Sequence, residues 1–241
     1  MQRLDPIASQ EHWDSLADRY DADKQRNDTY YSALKSCFDR AIPRSARGHV
    51  LELGCGTGQV LASLQPKRGM GVDVSQQMIN VAKRQFADRP ELSFAATDAT
   101  AAAGLGEFDA VISADVMEHV DQWKNLIKVI VQSCRPGGII AISTPNPTWT
   151  FPLWILEKVH LKMPEGPHEF VRAGAIAQCL CEMNCEVVSE STHLLLPVHL
   201  GGVGPTLSRI AERMPILRRL GVIQLVVARR RQAHSSARGS S

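Results

Sequence analysis

Several things are scarce in this sequence of 241 residues, and each scarcity closes off a class of protein. Neither sign of charge dominates: 27 Lys and Arg stand against 25 Asp and Glu, a formal net charge of +2. A body so nearly neutral lacks the global field that draws a protein to nucleic acid, and no nucleic-acid partner is expected. The one basic cluster, Arg229, Arg230 and Arg231, reads as part of a solvated, disordered tail over 229–241. No apolar run approaches the ~18 residues that cross a bilayer. The opening stretch Met1-Gln2-Arg3-Leu4-Asp5-Pro6 has no apolar core of a secretory signal, so the expected compartment is the cytoplasm. The six cysteines (Cys37, Cys55, Cys134, Cys179, Cys181, Cys185) form no CxxC pair. On a helix Cys179 and Cys181 would project about 200° apart, away from any shared ligand face, so the thiols read as free packing groups and not as a zinc or disulfide frame.

What is present is an ordinary globular composition, 44% hydrophobic and 22% charged, in a chain long enough for a self-sufficient core. Residues 7–42 carry apolar side chains at helical spacing (Ile7, Trp13, Leu16, Ala17, Tyr20, then Tyr30, Leu34, Cys37, Phe38), which predicts two amphipathic helices. From residue 49 the texture becomes short apolar runs separated by helical stretches. Strands are expected over 49–53, 69–72, 92–95, 110–113, 139–143, 185–189 and 222–228. Helices are expected over 59–64, 76–86, 122–134 and 173–183. Such alternation implies βαβ units with right-handed crossovers, hence an α/β fold with a doubly wound, mostly parallel sheet of seven strands. Residues 145–168 and 193–220 break the rhythm with Pro, Gly and aromatic residues and read as insertions on the rim where substrates are held.

The most informative segment is Val50-Leu51-Glu52-Leu53-Gly54-Cys55-Gly56-Thr57-Gly58, an apolar strand running into three alternate glycines and then a helix. That arrangement brings a backbone close to a ligand at a strand end. A dinucleotide fingerprint would need glycine where Gln59 stands, and a P-loop would need Gly-Lys-Ser/Thr, so the turn is not built around phosphate. Glu52 lies within the apolar strand, where an unpaired carboxylate is costly, and the glycine-turn amides are its expected partners.

In this segment the chain resembles the class I S-adenosylmethionine-dependent methyltransferases, whose first motif is an acidic residue followed by GxGxG. Four further stretches follow in order: Gly71-Val72-Asp73-Val74-Ser75, Ala96-Thr97-Asp98-Ala99, the run from Phe108 through Ala114-Asp115-Val116-Met117-Glu118-His119-Val120, and Arg135-Pro136-Gly137-Gly138. The resemblance implies a single Rossmann-like methyltransferase domain over 1–228 with S-adenosyl-L-methionine as cofactor. It assigns cofactor contacts to Glu52, Gly54, Cys55, Gly56, Gly58, Asp73, Val74, Asp98, Ala99 and Ala114. Asp73 would take both ribose hydroxyls and Asp98 the adenine amino group. Asp suits the ribose because an ionised carboxylate only accepts, and each charge-assisted hydrogen bond contributes about 1.5–3 kcal/mol. Tyr20, in the lead-in Trp13-Asp14-Ser15-Leu16-Ala17-Asp18-Arg19-Tyr20-Asp21, is a candidate for closing over the cofactor, with helix packing as its alternative.

Methyl transfer from a sulfonium is an in-line displacement, in which a hydroxyl nucleophile must also lose its proton. Rim candidates for that base are His119, His168, Glu118 and Asp115. Asp115-x-x-Glu118-His119 is similar to the ExxEH element that binds a divalent metal in ubiquinone-biosynthesis O-methyltransferases. Asp115, Glu118 and His119 are accordingly candidate ligands for Mg²⁺, which would lower the pKa of a catechol oxygen. The alternative is a Glu-His pair that only orients its loop.

Residues 149–163, with Trp149, Trp154, Lys158 and Lys162, read either as a lid helix packed on the core or as an interfacial helix touching a membrane surface. With Ser143-Thr144-Pro145-Asn146-Pro147 before it and Met163-Pro164-Glu165-Gly166-Pro167-His168 after it, the segment looks like the corresponding insertion of the ubiquinone-biosynthesis enzymes. The expected reaction is therefore methylation of a small, apolar, hydroxylated acceptor such as a phenol or quinone precursor. N- or C-methylation of another small molecule, an NAD-dependent oxidoreductase and an RNA methyltransferase are the competing readings. The sequence sets no oligomeric state.

Overall fold

The computed structural model describes residues 6–26, 28–100, 104–149, 171–194 and 221–232. Two helices lead, α1 (Pro6–Arg26) and α2 (Asp28–Ala41). Then come β1 (His49–Leu53), α3 (Gln59–Ser63), β2 (Arg68–Asp73), α4 (Gln76–Gln85), β3 (Leu92–Ala96) and β4 (Phe108–Ala114). The remainder is α5 (Trp123–Ser133), β5 (Cys134–Pro145), α6 (Ala173–Glu182), β6 (Cys185–His193) and β7 (Ile223–Arg230).

The seven strands form one sheet in the order β3-β2-β1-β4-β5-β7-β6. The first five are parallel, and β7 runs antiparallel between β5 and β6. The central strands are apolar on both faces because helices cover both, as parallel sheets require. On β1 the alternation is explicit. Leu51 and Leu53 pack with Leu126, Ile130, Ile176 and Leu180 of α5 and α6. Val50 faces the opposite layer, with Phe38 of α2, Leu61 of α3 and Ile79 of α4. Strand order reverses between β1 and β4, so their C-terminal ends open a crevice at the switch point where open α/β sheets bind ligands.

Arg47 fixes α2 to this body. It is buried, and its guanidinium donates to the carbonyls of Asp39 at 2.7 Å, Ile42 at 2.9 Å and Leu64 at 3.0 Å. Those are carbonyls at the C-terminal ends of α2 and α3, which helix ends leave without partners, so one side chain closes several of them.

Three of the boundaries that differ from the sequence reading change what a segment is. β7 continues through Arg229 and Arg230, which pair with Ile139 and Cys185, so the basic run begins inside the sheet and not in a tail from 229. The physical reason is local: Arg230 Nη1 donates to the carbonyls of Cys134 at 2.5 Å and Gln132 at 3.2 Å where α5 meets β5. β6 carries on to His193, the first residue of the expected second insertion. β5 starts at Cys134 and takes in Arg135 to Gly138, ahead of the strand expected over 139–143. Residues 150–168, with His168, and residues 195–220 lie outside the described residues, and with them most of both expected insertions.

Candidate active site

The glycine turn leaves β1 in the left-handed conformation, with φ of 74° at Gly54, 51° at Gly56 and 78° at Gly58. The amides of Gly54 and Cys55 both donate to the Val72 carbonyl, at 2.8 and 2.9 Å, which ties the turn to β2. The three glycines are not equivalent. A Cβ on Gly54 would stand 2.3 Å from Val116, and one on Gly58 2.5 Å from Phe94, so the protein itself demands those two. At Gly56 a Cβ would meet only the Tyr20 ring, in ordinary contact at 3.5 Å, so a slot about one carbon wide lies between turn and ring. A bare backbone at the centre of the turn lets a ligand approach it closely.

Asp73, at the end of β2, organises the slot. Its Oδ2 accepts the Gly56 amide at 2.8 Å and its Oδ1 the Ser75 amide at 2.9 Å. Burial raises its pKa, and those two amides pull it back toward the ionised form. A carboxylate oxygen has two acceptor sites, so each retains one for an outside hydroxyl, the geometry a ribose diol needs. Val74 follows, half-buried, and Ser75 caps α4 by accepting from the Met78 amide at 3.1 Å.

Glu52 is buried, and it takes a different partner from the one expected. Its Oε2 accepts the Leu61 amide at 2.9 Å, not an amide of the glycine turn. Alternation along β1 sends Glu52 to the face that α3 covers, the face of Val50. Burial pushes its carboxyl up to about 8, against the Leu61 amide and the Lys24 ammonium, which act to lower it. Cys55 is buried too, and burial raises its thiol well above the usual range, so it is an unreactive packing group beside the turn.

Beyond β3, Asp98 Oδ1 accepts both the amide and the hydroxyl of Thr100 at 2.8 Å, which shapes the loop end. Asp98 is half-buried, whereas Ala99 packs inward with Leu53 and Val72. Ala114, half-buried, ends β4.

Helix α1 roofs the slot. Asp14 Oδ1 accepts the Ser75 hydroxyl at 2.5 Å and the Gln77 amide at 3.1 Å. Asp21 accepts the hydroxyl of buried Thr57 at 2.7 Å and, through its other oxygen, the Gln85 side chain. Trp13 meets Tyr20 edge-on at 6.2 Å between centroids and His119 at 5.0 Å. Lys24 Nζ lies 4.1 Å from the Tyr20 centroid and 4.4 Å from that of Tyr31. The sequence reading singled out Tyr20 but not Asp14, Asp21, Lys24 or Trp13 as site residues. Their signal is a doublet repeated seven residues on, Trp13-Asp14 then Tyr20-Asp21, which places an aromatic stripe and an acidic stripe side by side on one helix face.

The rim after β4 is arranged otherwise than a metal site. Asp115 has φ of 54°, a conformation few non-glycine residues adopt. Its Oδ2 accepts the Tyr30 hydroxyl at 2.7 Å and its Oδ1 the Ser143 hydroxyl at 2.6 Å. Burial, and then the neighbouring Asp115 charge, hold the Tyr30 phenol well above its usual range, so it stays a donor. Glu118 is buried and accepts the Thr144 hydroxyl at 3.4 Å, while His119 packs against Trp13. Among the described residues no group of three or more His, Cys, Asp or Glu is placed to hold a metal ion. The expected Asp115, Glu118 and His119 ligand set is therefore not brought together: each side chain faces a different neighbour from α1, α2 or β5.

Among curated proteins, the chain is 31% identical over 129 residues to a ubiquinone biosynthesis O-methyltransferase of Bartonella tribocorum, covering 50% of this chain and 52% of that one. To the protein of that name from Rhizobium johnstonii it is 30% identical over 178 residues, covering 67% and 71%. The chain spans about half to three-fifths of the length of the first curated relatives it matches. Among solved structures, a SAM-dependent methyltransferase and possible histamine N-methyltransferase from Thermotoga maritima superposes with a TM-score of 0.68 at 15% identity, over 92% of this chain and 100% of that one. That likeness is one of fold. A family model described as a methyltransferase domain matches residues 23–190, and the chain belongs to that family.

Proposed function

We propose that the chain transfers a methyl group from S-adenosyl-L-methionine to an oxygen of a small, apolar, hydroxylated acceptor of the phenol or quinone-precursor class. The observation that carries the donor half is Asp73, whose two oxygens are oriented by the Gly56 and Ser75 amides and each keep an acceptor site. The donor supplies an electrophilic methyl group on a sulfonium. The chain's own residues position and shield. Asp73 takes the ribose hydroxyls, the bare backbone at Gly56 admits the sugar and its substituents, and Tyr20 with Trp13 excludes water from above. Asp98 stands on the loop after β3, where the adenine amino group would be read. The acceptor enters at the β4 rim, beside His119 and Trp13. His119 is the candidate base there, with His168 a second.

The hydroxylated-acceptor half is supported by the names of the curated relatives and by the 145–168 insertion, whose apolar stretch over 149–163 would also meet a membrane surface. The test has two arms. Calorimetry with S-adenosylhomocysteine should show binding in the micromolar range, and none at high micromolar would end the donor reading. A screen of hydroxylated aromatics, with amines as controls, should release S-adenosylhomocysteine only with the former; turnover of an amine alone would transfer the acceptor assignment to nitrogen.

A further inference from the structure

Asp115 follows the last residue of β4, and its φ of 54° lies in the left-handed region that side chains rarely adopt. A residue persists there only where its surroundings hold it. The holding groups come from two other elements. From β5, the Ser143 carbonyl accepts the Asp115 amide at 3.3 Å, and the Ser143 hydroxyl meets that amide at 3.1 Å while donating to Oδ1 at 2.6 Å. From α2, the Tyr30 hydroxyl donates to Oδ2 at 2.7 Å.

The left-handed step decides where the next side chain goes. β1 and β4 pair in register with Glu52 opposite Ile112, so Gly54 lies level with Ala114, and an extended chain would carry Val116 two residues past it. The chain turns at Asp115 instead, and the two methyls of Val116 come to rest on Gly54. A Cβ on that glycine would stand 2.3 and 2.9 Å from them. The amide of Gly54 is tied to the Val72 carbonyl at 2.8 Å. The first glycine of the turn is thus gripped between β2 and Val116, and Asp115 sets the grip.

We propose that Asp115 is a positioning residue for the methyl donor: held left-handed by Tyr30 and Ser143, it carries Val116 onto Gly54 and so fixes the glycine turn in the form that binds the donor. This role rests on the donor reading above. It is tested on the full chain by calorimetry with S-adenosylhomocysteine, beside urea midpoints, for Asp115→Ala, Asp115→Gly and Val116→Ala. Alanine and glycine both delete the carboxylate, but only glycine enters the left-handed region freely.

Both Asp115 variants lose the Tyr30 and Ser143 side-chain bonds, so both should unfold at lower urea. Their affinities should separate: Asp115→Ala should bind S-adenosylhomocysteine at least about tenfold more weakly than the wild type, and Asp115→Gly within about threefold of it. Val116→Ala, which keeps every bond of Asp115 and only opens the contact on Gly54, should also weaken binding several-fold. Equal weakening by Asp115→Ala and Asp115→Gly would make the carboxylate, and not the backbone it holds, the group the site needs. Unchanged binding in Val116→Ala would make Asp115 a residue of stability alone, and that variant decides the matter if Asp115→Ala does not fold. Either result overturns the role. If the wild-type chain bound no S-adenosylhomocysteine, the donor reading itself would fall, and the role of Asp115 with it.

Discussion

The carboxylate of Glu52, on β1, accepts the amide of Leu61, on α3, at 2.9 Å. α3 begins at Gln59, and its capping position is Gly58, which has no side chain to offer the orphaned amides of the first turn. Glu52 supplies from the neighbouring strand the acceptor that a capping Ser or Asp would give. The glycine needed for close packing at the end of the turn and the buried acid are thus one device: Gly58 cannot cap, so Glu52 does.

That device has a pH signature. The Glu52 carboxyl is pushed up to about 8 in the folded chain, against 4.5 in its ordinary state. The folded chain therefore binds this proton more tightly than the unfolded one. The contribution is full below about 4.5 and is lost as pH rises through about 8. Glu52→Gln is neutral throughout, so its urea midpoint should fall less between pH 6 and 9 than that of the wild type. Parallel midpoints for the two proteins would show that Glu52 does not titrate in this window.

Of the residues proposed to hold the donor, Asp73 should have the largest single effect on its binding. Asp73→Ala removes the acceptor for the Gly56 amide as well as the proposed ribose contacts, so S-adenosylhomocysteine should bind about 10–100-fold more weakly. Asp73→Asn keeps one carbonyl oxygen and should fall between. The check is the ligand-induced rise in melting temperature, which Asp73→Ala should largely abolish; a full rise would place the ribose elsewhere.

The sheet was legible because its causes are local. Apolar runs, βα spacing and the glycine turn lie within a few residues of one another, and β1 matches the expected bounds of 49–53. The roof was not, because its bonds join distant residues: Asp14 to Ser75 across 61 positions, Thr57 to Asp21 across 36. Asp115 shows the same limit. Its motif is visible in sequence, but Tyr30, the partner that redefines it, lies 85 positions away. Arg229 and Arg230 were misjudged for another reason: strand pairing is made by backbone, and a charge run says little about it.

Metal removal should be without effect. Asp115 faces Tyr30 and Ser143, and His119 faces Trp13, so the chain's described rim does not gather ligands for Mg²⁺. Turnover of whichever acceptor is found should be unchanged by EDTA and by added Mg²⁺. Loss of turnover in EDTA that Mg²⁺ restores would show that Asp115 leaves Tyr30 and Ser143 in the working enzyme.

Tyr30→Phe tests the tie between α2 and the β4 rim. The substitution keeps the ring beside Tyr31, with which Tyr30 makes an edge contact at 5.3 Å, and deletes only the hydroxyl that donates to Asp115. Removing the hydroxyl that Asp115 accepts costs about 1–3 kcal/mol. For a chain of this length that is roughly 2–4 °C of melting temperature per kcal/mol. Asp115→Asn should lose less, because its amide oxygen still accepts one of the two hydroxyls. The double variant Tyr30→Phe, Asp115→Asn should then be more stable than the sum of the single losses predicts, since the two side chains share one bond. Strict additivity would mean that the hydroxyl and the carboxylate are not coupled, and that α2 is held to the rim by apolar packing alone.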